Sequence, residues 1–203
     1  MTLTDKISHA AERKAFETLL DNLIKKGQTQ DASQVASDLV AMVQRLHGDV
    51  WSEKSFQTLR MIANDPNGKW AHYTQRLLRD NYPYILKTFL TNAVYEGGIR
   101  GYHVAQETAA KYDINVPWLI LMDPTSACNM HCTGCWAAEY GHKQSLTFEE
   151  MDKTLTEAKA LGTHACLFTG GEPLMRKKDI IRLCEKHRDI AFHAFTNGTL
   201  IDQ

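Results

Sequence analysis

From Trp118 onward short apolar runs alternate with amphipathic helical stretches, and that alternation constrains the fold more than any other feature of the 203 residues. Trp118-Leu119-Ile120-Leu121-Met122 is a continuous apolar run suited to a strand buried on both faces. A helix follows, opened by Thr147-Phe148-Glu149-Glu150, where Thr147 and Glu150 form a capping box that satisfies two orphan backbone N–H groups. Met151, Leu155 and Ala158 make its apolar stripe, and Gly162 stands where a C-cap belongs. A second strand is expected at about 165–168, and a second helix over 178–187 with Ile180, Ile181, Leu183 and Cys184 inward. A third strand is expected at about 190–195. Strand–helix–strand–helix–strand predicts an α/β arrangement of parallel strands joined by crossovers.

Each unusual segment of this region directly follows a strand. A cysteine-rich loop follows the first, Thr169-Gly170-Gly171-Glu172-Pro173 the second, and Thr196-Asn197-Gly198-Thr199 the third. All three therefore emerge at the C-terminal edge of the sheet, where parallel α/β folds bind their ligands.

Residues 1–113 have a different grammar, that of an all-helical leading domain. Phe16, Leu19, Leu20, Leu23 and Ile24 form one stripe that stops at Gly27, and Ala36 to Leu46 form a second that ends near His47-Gly48. A third helix halts at Asp65-Pro66-Asn67-Gly68, and Trp70, Tyr73, Leu77 and Leu78 mark a fourth. Pro83 suits the first turn of a fifth, whose inner face is Ile85, Leu86, Phe89, Leu90 and Ala93 and whose end is Gly97-Gly98. The sixth is expected over 99–112, and Tyr82, Tyr84, Phe89, Tyr95 and Tyr102 read as helical core.

The loop after the first strand reads Cys128-Asn129-Met130-His131-Cys132-Thr133-Gly134-Cys135-Trp136, with C-x3-C-x2-C spacing. Three thiolates so close together can surround one metal centre, and thiolates favour zinc or iron–sulfur clusters over hard cations. A structural zinc would need a fourth ligand, which His131 or His142 could supply, and would leave the chain a zinc-stabilised structural or interaction module. An iron–sulfur cluster held by three cysteines keeps one iron open to a ligand. Cys166 and Cys184, in a strand and a helix stripe, read as small core residues. Taken singly, the Gly170 and Thr196 segments are ordinary turns; their joint order with the cysteine loop is what carries information.

In that order the three motifs resemble the radical S-adenosylmethionine (SAM) superfamily, over about residues 117–203. The resemblance implies an enzyme in which Cys128, Cys132 and Cys135 hold a 4Fe-4S cluster and the open iron binds SAM. One electron then cleaves SAM to methionine and a 5′-deoxyadenosyl radical, which takes hydrogen from a substrate the sequence does not identify. It further implies that Gly170, Gly171 and Glu172 meet the methionine end of SAM, and that Thr196 and Asn197 contact its polar groups. Many members carry an aromatic residue near the adenine just before the third cysteine. This chain has Gly134 there, and Trp136 is the aromatic residue to take that place. An electron donor such as flavodoxin or ferredoxin is the implied protein partner.

The resemblance also implies a partial TIM-like (β/α)6 barrel, of which only the first three β/α units fit in residues 114–203, so a truncated fragment of weak activity is expected. A net charge of −1 gives no global reason to expect nucleic acid or an anionic membrane as partner. The first residues lack the apolar stretch of a secretory signal, and three of the five cysteines crowd together as metal ligands in a reducing compartment do. A cytoplasmic location is the corresponding expectation.

Overall fold

The computed structural model describes residues 3–29, 32–47, 51–137, 141 and 143–202. Gly48 and His142 lie outside them. Contacts divide the chain into two units, Met1–Tyr95 and Glu96–Gln203.

The first unit is helical: α1 (Leu3–Gly27), α2 (Ala32–His47), α3 (Glu53–Ala63), α4 (Lys69–Asp80) and α5 (Pro83–Leu90). Local chemistry sets the ends. The Ser52 hydroxyl accepts from the Ser55 N–H to start α3, and Asp65 accepts from Asn67 N–H in the turn beyond it. Pro83 occupies the first turn of α5, where its missing N–H costs nothing. Ile24, Val35, Leu78 and Leu86 pack together as a core.

Two expectations change here. Gly97-Gly98 does not end a helix: the chain runs through a π-helical segment, Thr91–Gly101, straight into α6 (Tyr102–Tyr112). Glycine costs a helix only about 1 kcal/mol per residue, less than is gained by burying Tyr95 and Ile99 on either side of the pair. Tyr82 and Tyr84 are not core. They are 70% and 66% exposed and stack on each other before and inside the first turn of α5, which buries Leu86 instead. Ile85 and Tyr102 are likewise exposed.

In the second unit α6 ends on Asp113, in the left-handed region at φ 53°. Then follow β1 (Ile120–Met122), α7 (Phe148–Ala160), β2 (Ala165–Phe168), a 3-10 turn (Pro173–Arg176), α8 (Lys177–Lys186) and β3 (Ala191–Ala194). The strands are parallel in the order β1-β2-β3, with Leu121 beside Leu167 and Leu167 beside His193. The capping box at Thr147 and Glu150 forms as the sequence predicts.

One face of the sheet, carrying Met122, Cys166 and Phe168, is closed by Met151 and Leu155 of α7 and Ile180 and Leu183 of α8. Among the described residues the other face is uncovered at Leu121. The first apolar run is therefore buried on one side only, and Trp118 and Leu121 are 80% and 60% exposed. Period-2 alternation sends Leu121 away from the two helices, and no described element covers it. Ile181 is also exposed, on the side of α8 away from the buried Ile180 and Leu183. No helix among the described residues is long and apolar enough to cross a membrane.

Cys166 and Cys184 sit in or against this core, as the sequence predicts, and burial pushes their thiols up to about 12 and about 11. A thiol reacts as its thiolate, so both are protected by burial and by protonation. Native alkylation with iodoacetamide at neutral pH is expected to stop at three adducts, on Cys128, Cys132 and Cys135, with the other two reacting only in denaturant. Intact mass spectrometry reads this directly, and a fourth adduct on folded protein would contradict the buried assignment.

Candidate functional site

The three segments that follow the strands come together at the C-terminal edge of the sheet. The cysteine loop is clasped at its base. Ser126 N–H donates to Gln144 O (2.8 Å), Leu146 N–H to Pro124 O (3.0 Å), and the Thr125 and Ser145 hydroxyls lie 2.7 Å apart. Arg176, held by two hydrogen bonds to Asp179, donates to Leu146 O at 2.6 Å and so ties that clasp to the turn after β2.

The turn after β2 is stitched to the cysteine loop by main chain. Thr169 N–H donates to Met122 O (3.0 Å), Gly171 N–H to Thr125 O (3.0 Å) and Glu172 N–H to Ala127 O (2.8 Å). This approach explains the two glycines. A Cβ on Gly171 would lie 2.3 Å from Ala127 O and 2.6 Å from Ser126 O. A Cβ on Gly170 would lie 2.7 Å from Thr125 O, on a residue whose φ is already 101°.

Glu172 is the centre of a second set of bonds. Its side chain is buried, and one oxygen accepts from Leu174 N–H (2.9 Å) and the Thr196 hydroxyl (2.7 Å). The other accepts from Asn197 N–H at 2.8 Å. Asn197 in turn donates through its amide to Asn129 Oδ1 (2.9 Å), and Asn129 donates to the Thr199 hydroxyl (2.7 Å). A closed circuit thus links the residue after Cys128, the Gly-Gly-Glu-Pro turn and the Thr-Asn-Gly turn.

The sequence-predicted residues fall into three groups. Gly170, Gly171 and Trp136 line a cavity of about 560 Å³, together with Leu121, Asp123 and Ser126. Glu172, Thr196 and Asn197 form the circuit and do not line that cavity. Cys128, Cys132 and Cys135 lie on one loop outside any disulfide, exposed or half-buried, and Met130 N–H donates to the Cys128 sulfur at 3.4 Å. Among the described residues no group of three Cys, His, Asp or Glu side chains is placed to hold a single metal ion. His131 is exposed.

Sequence reasoning missed Asn129 and Asp123. Asn129 carries no local signal, because its partners lie 68 and 70 residues away. Asp123 had one: it is the charge that ends the apolar run of β1. Its side chain rests against Gly170, and desolvation raises its carboxyl pKa above the ordinary value.

The match to a known family falls on this same part of the chain. A family model described as the radical SAM superfamily matches residues 122–203. Fe-coproporphyrin III synthase of Methanosarcina barkeri (strain Fusaro / DSM 804) is 34% identical over 89 residues, 42% of this chain and 22% of that protein. AdoMet-dependent heme synthase of the same organism is 31% identical over 91 residues, 43% of this chain and 26% of that protein. GTP 3',8-cyclase of Desulforamulus reducens (strain ATCC BAA-1160 / DSM 100696 / MI-1) is 34% identical over 79 residues, 37% of this chain and 24% of that protein. The chain spans about a quarter of the length of these curated relatives. No solved structure matches it. By sequence motif, strand order and family model together, residues 122–203 are similar to the radical SAM superfamily.

Proposed function

We propose that this chain is part of an enzyme that cleaves SAM reductively and passes the resulting radical to a substrate. The observation that carries the reading is the convergence of the cysteine loop, the Gly-Gly-Glu-Pro turn and the Thr-Asn-Gly turn at one sheet edge, beside a cavity of about 560 Å³. A cavity of that size suits a ligand of the bulk of SAM.

Cys128, Cys132 and Cys135 would hold a 4Fe-4S cluster. The donor set fits, being three exposed or half-buried thiols within eight residues, outside any disulfide, one of them accepting an amide hydrogen bond. When bound, the cluster supplies the electron that breaks the sulfonium–C5′ bond of SAM. The chain's own part is to bind and orient. Gly170 and Gly171 present bare backbone at the cavity wall, Trp136 offers a ring face, and Glu172, Thr196 and Asn197 hold the turns that carry them. We assign residues 1–113 as a leading domain that scaffolds the core or docks a partner, and 114–203 as the catalytic core. A flavodoxin or ferredoxin as reductant and a cytoplasmic setting belong to the same reading.

Anaerobic reconstitution with iron and sulfide tests it. About four irons and four sulfides per chain are expected, with the brown thiolate-to-iron absorption of such a cluster. Alanine at Cys128, Cys132 or Cys135 should abolish both, while alanine at Cys166 or Cys184 should leave them. A single tightly held zinc, with no iron chromophore, would instead establish the zinc-stapled module and end the enzymatic reading.

A further inference from the structure

We propose that Arg176 is the positioning residue of the cysteine loop: one guanidinium fastens both stems of that loop and so sets how Cys128, Cys132 and Cys135 are presented to a cluster. The inference rests on the function proposed above. The loop departs along Pro124–Ser126 and returns along Gln144–Leu146, where the two stems pair antiparallel. Arg176 Nη1 donates to Leu146 O on the returning stem at 2.6 Å and reaches Pro124 O on the departing stem at 3.4 Å. Leu146 directly precedes Thr147, the N-cap of α7, and so lies outside helix and sheet. Among the described residues no backbone N–H donates to its carbonyl, which leaves Arg176 to match it.

The arrangement calls for arginine in particular. Nε and Nη2 both donate to Asp179 Oδ2, at 2.9 and 2.8 Å, and that grip turns Nη1 toward the two carbonyls. A guanidinium is a rigid planar fork that can hold a carboxylate along one edge and main chain at its tip, whereas an ammonium is a point charge on a flexible stem. Asp179 stands in the first turn of α8, where the helix dipole favours a carboxylate. Arg182 donates to it from the other side at 3.4 Å and lies 3.8 Å over the ring of Phe148, two residues beyond the returning stem. Ser126, Gln144, Ser145 and Leu146 of the stems also line the cavity beside Gly170 and Gly171, which Arg176 itself does not line. Arg176 therefore acts on the site through the loop.

Two measurements on the full chain test this. In the cluster-free protein, Arg176→Met should speed amide hydrogen exchange at Ser126 and Leu146 roughly ten- to hundredfold, the range of one hydrogen bond to a charged group, and leave the amides of β2, α7 and α8 within about twofold. In the cluster-loaded protein, R176M should lose iron to a chelator faster by a similar factor and broaden the electron paramagnetic resonance lines of the reduced cluster, as cysteines on a loosened loop would. Arg176→Lys keeps the charge without the fork and should fall between parent and R176M in both. Exchange confined to parent rates at Ser126 and Leu146, exchange accelerated equally throughout the second unit, or a lysine variant that matches the parent would each overturn the assignment. A parent chain that takes up no iron and sulfide would instead overturn the function beneath it, and the exchange measurement would still decide whether Arg176 holds the loop.

Discussion

Alanine in place of Gly171 is expected to destabilise the second unit by about 3 kcal/mol or more, at the upper end of overpacking costs. The added methyl group would meet Ala127 O at 2.3 Å, Ala127 C at 2.6 Å and Ser126 O at 2.6 Å, all of them backbone. A flexible side chain could swing aside, but these atoms can move only if the cysteine loop lifts off the turn. Lifting it breaks the bonds from Gly171 N–H to Thr125 O and from Glu172 N–H to Ala127 O. The melting midpoint should fall by roughly 6–12 °C, given 2–4 °C per kcal/mol for a chain of this size. Gly134→Ala is the contrasting case. Its φ is 73° but nothing lies within 4 Å of an added Cβ, so only the left-handed backbone penalty of about 1–2 kcal/mol applies. Calorimetry that ranked G134A as the more damaging of the two would refute the collision argument.

The second large effect is expected at Glu172. Truncation to alanine removes an acceptor from Leu174 N–H, the Thr196 hydroxyl and Asn197 N–H at once. Each donor left unmatched in a buried setting costs about 1–3 kcal/mol, and partial rescue by water brings the expected sum to about 3–5 kcal/mol. Glutamine keeps the shape but carries one acceptor oxygen. With that oxygen serving Leu174 and Thr196, its NH2 group must face the Asn197 N–H, donor against donor. E172Q should therefore lie between parent and E172A in denaturant titrations, with an unchanged slope. If E172A unfolds within about 0.5 kcal/mol of the parent, the circuit is not what joins the turns.

Much of the second unit was legible in the sequence because its signals are local. The capping box at Thr147 and Glu150 sits within four residues, and the Ala165–Phe168 strand is bracketed by Gly162, one residue past the C-cap Leu161, and a Gly-Gly turn. The convergence of the three loops followed from strand alternation alone. The rest depended on what lies across space. An apolar run looks the same whether one face or two are covered, so the exposure of Leu121 could not be read from it. Glu172 and Thr196 are 24 residues apart, and no local pattern announces that their side chains meet. That distance is why the sequence does not show the Glu172 oxygens accepting from Leu174, Thr196 and Asn197. Gly97-Gly98 misled for a related reason: a helix stop is a propensity of about 1 kcal/mol per glycine, and tertiary burial outweighs it.

The stitching of the turn after β2 to the cysteine loop runs through peptide groups: Met122 O, Thr125 O and Ala127 O accept, and Thr169, Gly171 and Glu172 donate. Because these bonds belong to every residue type except proline on the donor side, they place no demand on the side chains at Leu121, Ser126 or Trp136 that face the cavity. The walls can be exchanged while the frame stays put, so new ligand tastes are open to such a scaffold by point substitution alone, without redrawing its loops.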